Sequence, residues 1–279
     1  MSYLRIKNEV ITVNGKKIAY RELSKGKSKF PLVMLVHLAA NMDNWDPKLI
    51  DLLAKHQHLI LIDLPGVGAS KGKIERSLEE TAVSVVDIVH ALGYVKINLL
   101  GLSMGGMIAQ EVVRIAPELV NRLILVGTGQ RGGKGIDSVT SVTFAHMFHS
   151  LIKHKDMKRY IFYRDDAQGE QEAAKVLNRL NCREREWANQ PMKISSFLKQ
   201  LKAIKKWGTA EMDNLTFIQQ PTLIVNGDQD DMVPTENSYQ MHEKIKGSQL
   251  VIYHHAGHGS LFQYADEFAS EVQLFYHNQ

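Results

Sequence analysis

The sequence predicts an α/β protein: a mostly parallel sheet flanked by helices, interrupted late in the chain by a helical insertion. Three observations carry this. Apolar runs of strand length, among them 31–37, 59–62, 97–100 and 123–126, alternate with helix-period segments, and such alternation implies right-handed βαβ crossovers. Between one run and the next helical segment stands Gly101-Leu102-Ser103-Met104-Gly105-Gly106, a sharp turn rich in small residues. From about 130 to 215 buried-strand signals are few and helix formers dominate. That stretch is too long for a loop.

Taken in order, residues 3–13 and 16–23 read as two strands joined at Asn14-Gly15, the strongest short hairpin signal. Residues 31–37 and 59–62 are near-continuous apolar runs, as expected of strands buried on both faces. A helix is predicted over 47–56 between them. Leu78, Ala82, Val85, Val89 and Leu92 fall on one helical face. The strand at 97–100, a helix from Gly105 and the strand at 123–126 continue the pattern. After the insertion, 221–226 restores the sheet, followed by a helix over 236–245, a strand over 250–253 and a last helix over 260–276.

A chain of 279 residues fits one core domain with an insertion. Hydrophobic content of 44% with 23% charged residues is that of a soluble globular protein with a large core. The net charge of +4 is mild, and the basic groups at 25–29 and 202–206 lack interleaved aromatics. They read as solvated surface, and no nucleic-acid partner is expected. Cys182 is the single cysteine, and no Cys/His spacing suits a metal; no metal or cofactor is expected. Residues 1–10 lack an apolar signal core, and no apolar run approaches the roughly 18 residues that span a bilayer. A cytoplasmic protein without a membrane partner is expected, its oligomeric state, monomer or homodimer, left open.

The turn at Ser103 is a G-x-S-x-G pattern in strand, turn, helix context, which exposes a serine hydroxyl above the sheet. The N–H of Met104 then opens a helix and suits a developing oxyanion. A serine needs a base, and the base an orienting acid. Two downstream loops offer them: Gly227-Asp228-Gln229-Asp230-Asp231-Met232-Val233-Pro234, with three carboxylates, and His254-His255-Ala256-Gly257-His258-Gly259, with three histidines. The order Ser, Asp, His suits this architecture.

With these marks and Asp63-Leu64-Pro65-Gly66-Val67-Gly68-Ala69-Ser70, the chain resembles α/β-hydrolase fold proteins of the cofactor-free serine esterase, haloperoxidase-like and C–C hydrolase group. The resemblance implies an eight-stranded, mostly parallel sheet with a helical cap after the sixth strand. The core would be 1–129 and 216–279, and the cap 130–215. The family pattern G-x-x-D-x-x-V-P selects Asp230 as the acid, and A-G-H-G selects His258 as the base. It leaves Asp228 and Asp231 as loop or cap residues, and His254 and His255 as partly buried structural groups. Asp63 falls at a position that shapes a turn. Where the family has His-Gly after its third strand, this chain has His37-Leu38-Ala39-Ala40; the second oxyanion donor is then the Ala39 N–H, with Leu38 as the alternative.

Leu38, Trp45, Phe148 and Val233 are the candidate substrate contacts, Trp45 also reading as packing between loop and sheet. The apolar stripe Phe144, Met147, Phe148, Leu151, Ile161 and Phe162 reads mainly as core, and Phe148 is expected to influence chain-length preference. The activity implied is acyl transfer: hydrolysis of small-molecule carboxylic esters, small to medium and apolar, by Ser103, His258 and Asp230. A serine nucleophile disfavours the dehalogenases and epoxide hydrolases of this fold, which need aspartate there. A C–C bond hydrolase, a lactonase or a perhydrolase would use the same triad. A C–C hydrolase would want arginines for a substrate carboxylate, and Arg159, Arg164 and Arg179 lie in the insertion. The non-enzyme alternatives are a ligand receptor with a slow triad and a scaffold, though a scaffold would be expected to have lost a triad member.

Overall fold

A computed structural model describes residues 2–184 and 187–277. Met1, Arg185, Glu186, Asn278 and Gln279, which the expected core and cap boundaries include, lie outside the described residues. The strands are β1 (Glu9–Val13), β2 (Lys16–Leu23), β3 (Leu32–Leu35), β4 (Leu59–Ile62), β5 (Ile97–Leu102), β6 (Val120–Val126), β7 (Thr222–Gly227) and β8 (Gln249–Tyr253). They form one eight-stranded sheet in the order β1-β2-β4-β3-β5-β6-β7-β8. The β1-β2 and β2-β4 pairs are antiparallel; all others are parallel.

The two-residue period of a strand sorts side chains between two cores. Val33 and Leu35 of β3 pack on the side of α2 (Leu78–Ala91) and α3 (Met104–Ile115), with Val85, Ile108 and Val112. Leu32 and Met34 face α1 (Pro47–Leu53) and α10 (Ala265–His277), with Ile50, Phe268 and Phe275. Both faces are covered, so the parallel strands carry no polar alternation. Ser77 starts α2 by accepting the Glu80 N–H at 3.2 Å, the usual satisfaction of an orphan helix donor.

Several expected elements change, the helix expected over 47–56 ending at Leu53 among them. The first strand begins at Glu9, not Tyr3, and Tyr3–Arg5 is a single 3-10 turn. Arg183 takes the carbonyls of Leu4 at 3.1 Å and Ile6 at 2.8 Å, which removes that stretch from the ladder. The run at 31–37 yields only Leu32–Leu35 as strand, because the chain then turns toward the site. The last helix divides into α9 (Ser260–Gln263) and α10, with Tyr264 outside helical geometry between them. Tyr264 stacks on Tyr253 at 4.8 Å and donates its hydroxyl to the His254 carbonyl at 2.8 Å.

Between β6 and β7 the chain forms α4 (Val139–Lys153), α5 (Met157–Phe162), α6 (Ala167–Leu180) and α7 (Ile194–Gly208). α8 (Glu236–Lys244) connects β7 to β8. Arg179 of α6 ties this helical segment down through two bonds to the buried Asp46 carboxylate, at 2.7 and 2.6 Å.

Candidate active site

In open parallel sheets the carboxyl ends of the strands carry the functional loops. Ser103 follows β5 with φ 56° and ψ −118°, a strained conformation for a residue with a Cβ. It persists because its surroundings fix it. The Ser103 N–H donates to the Val126 carbonyl at 2.8 Å, and Thr128 Oγ1 donates to the Ser103 carbonyl at 2.8 Å. Close approach of helix to sheet requires Gly105, where a Cβ would stand 2.2 Å from the Leu35 carbonyl oxygen. Met104 begins α3, so its N–H belongs to the first turn, whose donors lack helical acceptors.

The loop after β7 delivers Asp230, and the loop after β8 delivers His258. Asp230 Oδ1 accepts the N–H groups of Met232 at 2.9 Å and Val233 at 3.0 Å. Its Oδ2 lies 2.7 Å from His258 Nδ1, with both side chains buried. An ionised carboxylate accepts only, so Nδ1 carries the proton and Nε2 is left as an acceptor. The other carboxylates stand elsewhere. Asp228 accepts from His254 Nδ1 at 3.2 Å and from the Ala256 N–H at 3.3 Å. Burial opposes ionisation of Asp228, but these bonds and one from the His255 N–H hold its carboxyl below the usual range. Asp231 reaches His146 Nε2 of α4 at 3.1 Å. His254 and His255, expected to be partly buried, are exposed. They occupy the turn after β8, an edge strand of the sheet.

The loop after β3 departs from expectation in a specific way. Burial pushes His37 down to about 3, with the positive charge of Lys158, and that of His258 when it is protonated, acting in the same direction; its bond to the Leu38 carbonyl opposes this. His37 is therefore neutral, its Nδ1–H donating to Leu38 O at 2.8 Å. Ala39 adopts φ 61°. Its N–H donates to Gln200 Oε1 of α7 at 2.9 Å, so this donor is engaged by the helical segment. Asp63, at the end of β4, accepts the N–H of Met42 at 2.8 Å and of Ala69 at 2.9 Å, and Nδ2 of Asn189 at 2.8 Å. It holds turns together, as expected of that position.

Ser103 and His258 open into one cavity of about 390 Å³. Of the four candidate contacts, Leu38 and Val233 line it. Trp45 does not: it is 1% exposed and packs edge-on against Phe262 at 6.2 Å, beneath the loop. Phe148 does not either, being 66% exposed on the outer side of α4. The wall facing Ser103 comes from Val139 and Thr143 of α4, Ile161 and Phe162 of α5, and Phe197 and Ile204 of α7.

The sequence groups Phe162 with the apolar stripe, whereas the structure places it at the site. Its ring stacks on His258 at 5.7 Å and 10°, and it meets His37 edge-on at 4.8 Å. The Gly259 N–H donates to the Phe162 carbonyl at 2.9 Å, and a Cβ on Gly259 would stand 2.8 Å from the Phe162 Cβ. The glycine beside His258 was thus a signal that another chain segment approaches there.

None of the three arginines considered for a substrate carboxylate reaches the cavity. Arg159 donates to the carbonyls of Tyr163 at 3.3 Å and Asp166 at 3.0 Å, Arg164 pairs with Asp166 at 2.6 Å, and Arg179 is bound to Asp46. Among the described residues, the lysine or arginine that does line the cavity is Lys158, 3.8 Å from Asp156.

The α/β-hydrolase fold profile matches residues 31–264, and the chain belongs to this family. It is 26% identical to the 2-hydroxy-6-oxo-6-(2'-aminophenyl)hexa-2,4-dienoic acid hydrolase of Metapseudomonas resinovorans, over 95% of this chain and 89% of that protein. It is 25% identical to the (E)-2-((N-methylformamido)methylene)succinate hydrolase of Acinetobacter baylyi, over 86% of each. An α/β-hydrolase fold protein from Chitinophaga pinensis superposes with a TM-score of 0.93 at 29% identity, covering all of both chains. The chain is a hydrolase by family.

Proposed function

We propose that the protein is a serine hydrolase cleaving carboxylic esters with small to medium apolar acyl groups. The observation that carries this reading is the buried Asp230–His258 pair at 2.7 Å, opening with Ser103 into one largely apolar cavity. His258 Nε2 takes the Ser103 proton as Oγ attacks the ester carbonyl carbon. Asp230 holds the Nδ1–H tautomer and stabilises the imidazolium. The Met104 N–H and, once Gln200 Oε1 is displaced, the Ala39 N–H receive the oxyanion. His258 then returns the proton to the leaving alcohol, and a water activated in the same way releases the acid.

A second reading, a C–C bond hydrolase with the same three residues, is favoured by the relatives, whose names describe hydrolases of unsaturated keto and amido acids. The engaged arginines weigh toward the ester reading. The test is hydrolysis of p-nitrophenyl acetate, butyrate and octanoate by wild type and Ser103→Ala, beside decay of a 2-hydroxy-6-oxo-dienoic acid chromophore. Multiple ester turnovers, reduced about 10⁴-fold or more in Ser103→Ala, are expected. A single-equivalent ester burst with sustained dienoate cleavage would replace the ester reading by the second.

A further inference from the structure

α4 and α7 each show two apolar faces. The inner ones line the cavity through Val139 and Thr143, and through Phe197 and Ile204. The outer ones meet solvent: Phe148 is 66%, Leu151 66% and Ile152 58% exposed on α4, and Ile194 is 77% and Leu198 49% exposed on α7. Phe144 and Phe197, 6.4 Å apart, join the helices between these residues. Scattered apolar residues on a surface need no explanation; a cluster on adjoining helices marks an interaction site.

Charge identifies what would cover it. Neither helix contains an aspartate or glutamate. α4 ends at Lys153, and α7 carries Lys199, Lys202, Lys205 and Lys206, all exposed. The flanking carboxylates are Asp137 before α4, Asp156 after it and the exposed Glu211 beyond α7; Asp156 Oδ1 accepts the Lys158 N–H at 2.8 Å, and Asp231 pairs with His146 of α4 at 3.1 Å. We propose that this face docks on an anionic lipid surface. Phe148, Leu151 and Ile194 enter the headgroup region, and the α7 lysines meet lipid phosphates. A second copy of the chain would set two lysine rows against each other, which like-charge repulsion opposes.

The protein would lie on the bilayer and not cross it: among the described residues no helix is long and apolar enough to span a membrane. The proposal revises the expectation of no membrane partner. That expectation rested on contiguous apolar runs, whereas this surface is assembled from helices separated by α5 and α6. It goes beyond the ester reading and does not depend on it.

The experiment is co-sedimentation of the full chain with phosphatidylcholine vesicles, with and without phosphatidylglycerol. Binding to the phosphatidylglycerol vesicles alone, falling with added salt, is expected. Lys199→Gln/Lys202→Gln should weaken it at least tenfold, at ~1 kcal/mol per lysine. Phe148→Glu/Leu151→Glu should abolish it while circular dichroism and p-nitrophenyl butyrate turnover stay at wild-type values, since neither residue lines the cavity. Equal or absent sedimentation with the two vesicle types overturns the proposal. So does a concentration-dependent doubling of mass in light scattering that Phe148→Glu/Leu151→Glu removes, which assigns the face to a second copy. Loss of ester turnover in wild type with vesicle binding intact would refute the ester reading and leave this one standing.

Discussion

The sheet loops and the helical segment between β6 and β7 build one cavity by different rules. On the sheet side each polar group is fixed by short backbone bonds: Asp230 by two N–H donors, Ser103 by the Val126 carbonyl and Thr128. On the helical side the contacts are apolar surfaces, the Phe162 ring on His258 and Phe197 and Ile204 across the cavity. Polar contacts cross near the chemistry only as isolated bonds, among them Gln200 Oε1 on the Ala39 N–H and the Phe162 carbonyl on the Gly259 N–H. The difference separates chemistry from selection. Backbone bonds tolerate little change in position, so the sheet side suits proton transfer. Apolar walls tolerate change in volume, so the helical side suits the choice of substrate.

The largest effect should come from the sheet side and be confined to one carboxylate. Asp230→Asn is expected to lower kcat about 10⁴-fold, because an amide no longer holds the His258 Nδ1–H tautomer. Asp228→Asn should leave kcat nearly unchanged, since its partners are the exposed His254 and the Ala256 N–H. Side-by-side ester turnover checks this. Comparable losses would show that the loop acts as a unit and that the assignment of Asp230 is wrong.

The unequal legibility of the two regions has the same physical origin. Buried parallel strands demand continuous apolar runs, so β4 is read from the sequence to the residue. Tight turns demand small residues in fixed order, so Ser103 stands out in its G-x-S-x-G turn, whereas Asp230 and His258 are told from their acidic and histidine neighbours only by the patterns of the family that the chain resembles. The helical segment obeys only a loose apolar period. That period could not tell Phe162, stacked on His258, from Phe148, which faces solvent. Nor could it show that Gln200 would meet Ala39 or that Arg179 would be consumed by Asp46. Trp45 shows a related ambiguity: a large aromatic in a site loop serves packing as readily as binding, and here the packing reading holds, the ring lying against Phe262.

A middle-sized effect should arise where the two regions are tied. Asp63 bonds the N–H groups of Met42 and Ala69 and the side chain of Asn189. Burial outweighs those bonds and raises its carboxyl from 3.8 to about 6. The folded protein then binds this proton more tightly than the unfolded chain does. Below pH 3.8 the group is protonated in both states and imposes no penalty. As pH rises through about 6 it ionises in the fold, and up to about 3 kcal/mol of stability is lost. Denaturant unfolding of wild type and Asp63→Asn between pH 4 and 7 should show that loss in wild type and a flatter profile in the variant. Parallel profiles would mean that the carboxylate is ionised throughout and that the tie is indifferent to pH.

The smallest effect is the sharpest test of the helical side. Phe197 lines the cavity and Phe148, on the neighbouring helix, does not. Phe197→Ala enlarges the apolar wall and should raise the octanoate-to-acetate ratio of kcat/KM about tenfold, the usual worth of a small change in an apolar pocket. Phe148→Ala should leave that ratio unchanged and alter stability by less than about 0.5 kcal/mol, as a side chain 66% exposed has little packing to lose. A shifted ratio in Phe148→Ala with none in Phe197→Ala would mean that α4 turns its outer face inward when substrate binds. Selection would then belong to a rearranged helical segment, and the division between a fixed sheet side and an adaptable helical side would become one between fixed and moving parts.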